Sequence, residues 1–122
     1  MKIVISGNVP SKKNNKQIAK AGDRYFIRSN DRVKVWTEMA IIELIGQFQG
    51  FKISGYPIRL TLVFYFDNKR RHDLDNAAAT VLDAMVESGI LEDDSVEFVN
   101  RIALQYGGID KENPRTEIIL DD

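Results

Sequence analysis

IRLTLVFYFDNKRRHDLDNAAATVLDAMVESG, residues 58–89, changes its hydrophobic period once, and that change decides the fold. Ile58, Leu60, Leu62, Phe64 and Phe66 alternate with Arg59, Thr61, Val63 and Tyr65, the two-residue period of a strand. From about Asp75 to Ser88 the period lengthens to that of a helix. Leu74, Ala78, Val81, Leu82 and Met85 then share one face, and Gly89 supplies the stop. Between the two periods, Lys69-Arg70-Arg71-His72 runs straight into Asp73-Leu74-Asp75-Asn76.

On either side of this unit the same signals recur. Towards the N-terminus, KIVIS (2–6) reads as a short strand ended by Gly7 and Pro10, and SKKNNKQ (11–17) as a basic loop. IAKAGDRYFIR (18–28) reads as a hairpin turning at Ala21-Gly22-Asp23. Ser29 suits the cap of a helix running to about Gln49, because Val33, Trp36, Ala40, Leu44 and Phe48 recur three and four apart. Towards the C-terminus, VEFVNRIALQY (96–106) reads as a strand, Gly107-Gly108 as the start of a loop, and TEIIL (116–120) as the last strand. The order β, hairpin, α, β, α, β, β predicts an α/β (α+β) architecture: two main helices on a mixed β-sheet, in a single domain spanning 1–122.

The 122 residues are enough for a self-sufficient core. There is no cysteine, which excludes a disulfide framework, a zinc–thiolate centre and a thiol nucleophile, and fits a reducing compartment. MKIVISGNVP is too short in apolar residues for a signal-peptide core, and no run is long enough to span a bilayer, so a cytoplasmic protein is expected. The net charge of −1 conceals an asymmetry. Residues 1–35 hold nine Lys/Arg against two acids, a balance of +7, and residues 36–122 hold eight against sixteen, a balance of −8. A basic face for a polyanion beside an acidic centre is one reading; charges that mix on folding is the other.

Asp73 and Asp75 are two apart, so on extended chain they point the same way and can converge. Close carboxylates repel, and a divalent cation removes that penalty. Mg²⁺ takes oxygen ligands from one or two carboxylates, water and phosphate, which is the chemistry of phosphodiester cleavage. A second acid pair, Asp93-Asp94, follows the same helix, and Arg70 and Arg71 suit phosphate. Against this stands a purely structural account. Asp73, Asp75 and Asn76 suit the first turn of a helix, Asp93-Asp94 suits a solvated turn, and the basic run suits a wet loop.

RRHDLDNAAATVLDAM followed by GILEDDSV resembles the signature of the RusA-type Holliday junction resolvases. That signature has a basic run, D-L-D-N, an aspartate eight positions beyond the second acid (Asp83 here), and a D-D pair before a strand. The resemblance is close over 70–96 and looser over the early strand, the Pro10–Asn14 loop and the central helix. It implies a small, dimeric, Mg²⁺-dependent endonuclease that nicks four-way DNA junctions symmetrically, in a family often encoded by prophages. By position, Asp73, Asp75 and Asp94 become the catalytic metal-binding acids, with Asp93 beside them. One position departs: the family's usual lysine three residues after the motif asparagine is Ala79. A lysine there would face the site and steady developing charge. Lys69, Lys12, Lys13 and Lys16 are the substitutes the sequence offers.

The helix from about 74 to 88 is roughly 22 Å long and separates Asp73 from Asp94 within one chain. Six residues of loop can bring Asp94 back only if nearly fully extended, about 20 Å, and a two-fold homodimer sharing each metal site between chains is the simpler route. His72, the single histidine, is a candidate general base or phosphate contact. Trp36 and Phe48 belong to the core stripe, whereas Tyr25 and Phe26 on the hairpin are candidate base-stacking residues. The expected function is thus a Mg²⁺-dependent junction endonuclease in DNA recombination and repair. In it, Lys12, Lys13, Lys16, Lys69, Arg70 and Arg71 hold DNA phosphates. The alternative is a catalytically silent branched-DNA-binding protein that has lost the lysine.

Overall fold

The computed structural model describes residues 1–10, 16–22, 24–29 and 31–121, with the backbone alone for 16–21, 24–29 and 31. In chain order the elements are β1 (Lys2–Ser6), β2 (Lys16–Ala21), β3 (Arg24–Ser29), α1 (Asp31–Phe48), β4 (Ile58–Phe66), α2 (Leu74–Glu87), β5 (Val99–Ile109) and β6 (Arg115–Asp121). Four strands form a mixed sheet in the order β1-β6-β4-β5, and β2-β3 pair as a separate hairpin. β4 is parallel to β5 and antiparallel to β6, so the expected mixed sheet with two helices is present.

The alternation in β4 sends Leu60, Leu62, Phe64 and Phe66 into one core with Ile3, Ile5 and Ile118. The stripe Trp36, Ala40, Leu44 and Phe48 meets them from α1, and Ala77, Ala78, Val81 and Met85 from α2. Val63 is buried as well, although it lies on the opposite face of β4. α1 also leaves Val35, Met39, Ile42 and Ile45 exposed on its outer side.

Four boundaries differ from the sequence reading. α1 begins at Asp31, and Ser29 is the last residue of β3. Lys16 and Gln17 belong to β2, not to the basic loop. β5 begins at Val99, not Val96, because Ser95 O accepts the N–H of both Phe98 and Val99 at 2.9 Å and curls the chain into a turn; Val96 is left 78% exposed. Gly107 and Gly108 continue β5 instead of opening a loop, at a register shift against Phe64 and Tyr65.

That shift has a side-chain cause. A Cβ on Gly107 would lie 2.6 Å from Tyr65 Cζ, so only glycine lets the Tyr65 ring lie across the strand. The Arg115 guanidinium covers this ring at 3.9 Å and is itself held by Asp110 at 2.9 Å and Glu117 at 3.0 Å. Gly107→Ala forces the ring away from that arrangement and is expected to cost about 1–3 kcal/mol. A lower urea midpoint at unchanged slope is the readout.

Candidate functional site

β4 and β5 run parallel, so α2 must carry the chain from the end of one to the start of the other. Its N-terminus therefore sits at the C-terminal end of the two strands, and its C-terminus at the opposite end. Asp73 and Asp75 mark the first place, Asp93 and Asp94 the second. Fourteen helical residues, roughly 21 Å of helix, lie between them in the chain. Among the described residues no three His, Asp or Glu side chains gather closely enough to hold a metal ion.

The loop before α2 is organised by Asn68. Its Oδ1 accepts the Arg70 N–H at 2.9 Å and lies 3.1 Å from His72 Nε2, and its Nδ2 donates to Asp67 Oδ1 at 2.6 Å. The His72 ring stacks flat on Phe66, centroids 3.7 Å apart and planes 6° apart. His72 is thus half-buried scaffold of the loop, with one nitrogen turned to Asn68. Lys69, Arg70 and Arg71 point outward, exposed, beside the acids.

Asp73 occupies the N-cap position with extended backbone, φ −104° and ψ 120°, and its carbonyl accepts the Ala77 N–H at 3.1 Å. Its carboxylate makes no cap hydrogen bond to the helix amides. Instead it lies 3.4 Å from the Asn76 amide and 3.5 Å from Arg71 Nε. The capping account of Asp73 therefore fails at its central contact, the hydrogen bond from a helix amide to the carboxylate. Asp75 is exposed one step into α2, and Ala79 is exposed four residues on, along the same side of the helix.

Two residues with no motif to flag them complete this end. Asn8 Oδ1 accepts the Asp67 N–H at 3.0 Å. Thr80, fully buried, donates Oγ1 to Pro10 O at 3.0 Å and lies 3.2 Å from Asn76 O. The segment leading into the basic loop is thereby pinned against the first turns of α2. Lys12 and Lys13 lie outside the described residues, and Lys16 is placed only as the first residue of β2.

At the far end, Gly89 turns the chain at φ +84° and Leu91 is buried. The Tyr56 hydroxyl accepts the Glu92 N–H at 3.1 Å, and the Tyr56 ring meets Phe98 edge-on at 5.0 Å. Asp93 is half-buried and Asp94 exposed, just before the Ser95 turn. Carboxylate donors alone suit a hard cation such as Mg²⁺. The donor chemistry fits, with each end of a chain offering one pair.

The family model described as Endodeoxyribonuclease RusA matches residues 8–121 of this chain. The Crossover junction endodeoxyribonuclease RusA of Aquifex aeolicus (strain VF5) is 32% identical over 90 residues, covering 74% of this chain and 69% of that protein.

The side-chain amide of Asn8, and after it that of Asn68, hold the Asp67 carboxyl below its ordinary value. With the folded value the lower one, this contribution is complete above the unfolded-state value and is lost as pH falls through the folded one. Asn8→Ala is expected to raise the Asp67 titration towards the ordinary carboxylate, as followed by its carboxyl carbon resonance. A wild-type Asp67 already titrating in the ordinary range would contradict the assignment.

Proposed function

The chain belongs to the RusA family of endodeoxyribonucleases, and on that premise we propose that it is a Mg²⁺-dependent endonuclease that nicks four-way DNA junctions symmetrically. The whole chain, 1–122, acts as one nuclease domain, in the cytoplasm, in DNA recombination and repair. The observation that carries the reading is the Asp73 carboxylate, left out of the helix cap and set between Asp75 and the exposed Arg70-Arg71 run.

Asp73 and Asp75 hold the cation from one chain. Asp94, with Asp93 beside it, completes the set from a second chain of a homodimer. When bound, Mg²⁺ supplies a Lewis acid at the scissile phosphate and a more acidic water. Lys69, Arg70 and Arg71 bind the flanking phosphates of the same strand, with Lys12, Lys13 and Lys16 extending the basic track. The Arg71–Asp73 pair is exposed, so it yields readily to a phosphate or a metal. His72 keeps the loop folded over Phe66.

Ala79 favours a second reading, in which the protein binds branched DNA with little or no turnover. The position where the family usually carries a lysine presents only a methyl group, four residues past Asp75.

An end-labelled synthetic four-way junction, with Mg²⁺ or chelator and a linear duplex beside it, separates the two. The nuclease reading expects paired nicks in the junction that chelator abolishes; binding without nicks supports the silent binder. Asp73→Asn is expected to lower cleavage by at least about 100-fold, the scale on which disturbed metal shells act. Junction binding in a gel-shift assay should be retained or improved, since the change removes repulsion and keeps shape. Ala79→Lys is expected to raise the cleavage rate by about 10-fold or more with an unchanged melting temperature, because a cation there stabilises developing charge. An unaltered rate would show that the lysine is dispensable in this chain.

A further inference from the structure

Residues 7–10 have no strand or helix of their own, yet each is fastened to a different part of the domain. The Gly7 N–H bonds Pro114 O at 2.8 Å, and Asn8 Oδ1 accepts the Asp67 N–H at 3.0 Å. Val9 is buried in the core, and Pro10 O accepts the Thr80 hydroxyl at 3.0 Å. Ser11, Lys12 and Lys13 come next in the sequence, so Pro10 is the point from which the basic segment departs.

Thr80 is fully buried, on the helix face that also holds Ala77, Val81 and Ala84. Valine would fill that volume with no polar group to satisfy. A hydroxyl inside a helix can bond the carbonyl one turn back, here Asn76 O at 3.2 Å. The shorter contact leaves the helix for Pro10, seventy positions away in the chain. The same turn carries buried Asn76, whose amide lies 3.4 Å from Asp73 Oδ2. One turn of α2 thus holds both the start of the basic segment and a carboxylate of the site. α2 has no Lys or Arg of its own, residue 79 included, so the cations that meet phosphate here come from flanking segments.

We propose that Thr80 is a positioning residue for DNA binding: by holding Pro10, it gives Lys12 and Lys13 a fixed point of departure beside the first turns of α2. The inference rests on the nuclease reading above for the identity of the ligand, and on the tether for its geometry. Without the tether, the freedom that the segment gains is lost again when phosphate is bound, and the affinity falls by that cost.

Binding of a labelled four-way junction in chelator, followed by fluorescence anisotropy, tests this without any cleavage. Thr80→Val keeps the shape and removes the hydroxyl. It should weaken binding about three- to tenfold, the scale on which immobilising a side chain weakens association. Thr80→Ser, which keeps the hydroxyl, should retain most of the affinity. On the Lys12→Ala/Lys13→Ala background Thr80→Val should cause no further loss, because the tether acts through those two cations. In the cleavage assay the loss should fall on KM and not on kcat. Should Thr80→Val fail to fold, Asn8→Ala releases the same segment from Asp67 and carries the same comparison.

Wild-type affinity in Thr80→Val overturns the proposal. So does an equal loss in Thr80→Ser, a loss that persists in full on the double-alanine background, or one confined to kcat. Any of these would reduce Thr80 to packing. A wild-type chain that shows the expected binding pattern and never cleaves would retain the tether and reject the nuclease reading; wild-type cleavage with additive losses would do the reverse. A wild-type chain that binds no junction overturns both.

Discussion

Two parallel strands cannot be joined by a tight turn, and this requirement of the β4–α2–β5 unit governs the molecule. The chain leaves β4 at Phe66 and must return to the other end of the sheet before β5 can begin. α2 makes that return, burying Ala77, Ala78, Val81 and Met85 on the sheet as it does so. Whatever the sequence places before α2 therefore sits at one end of the domain, and whatever follows it sits at the other. Both acid pairs are subject to this rule, and so is the basic run.

The loop before α2 shows how a densely charged segment is kept ordered without being buried. Its charges stay in water, where an ion pair such as Arg71–Asp73 contributes little. Order comes from hydrogen bonds and ring stacking: the Asn68 amide, the His72–Phe66 stack, and Asn8 reaching across from the N-terminal segment. Thr80 performs the matching task from inside the helix, tying Pro10 down. A polyanion or a cation can then engage the charged side chains without first displacing the contacts that shape the loop.

The ends of the sheet follow the same economy of parts. α1 packs its stripe on the core and uses the polar residues beside that stripe, Glu43 and Gln47, to close β1. β5 forms the other edge of the sheet, where Ile102, Tyr106 and Ile109 are partly exposed.

Local period was enough to read β4, the α1 stripe and the span of α2, because burial on one face imprints directly on residue spacing. It was enough too for the acid pairs and the basic run, which are contiguous in the chain. It failed where a local hydrogen bond or a ring outweighed pattern. Val96 looks like the start of β5 until Ser95 turns the chain, and Gly107-Gly108 looks like a loop until Tyr65 takes the space above the strand. Asn8, Asn68 and Thr80 were invisible because their partners lie elsewhere in the chain or belong to the backbone. The amino-acid sequence alone determined which groups carry the charge and which segments are helix or strand, since both depend on near neighbours. The tertiary structure decided that the two acid pairs lie at opposite ends of one domain, and that α1 closes the β1 edge of a sheet whose other edge is β5. Those are consequences of strand direction and strand order, which no local pattern encodes.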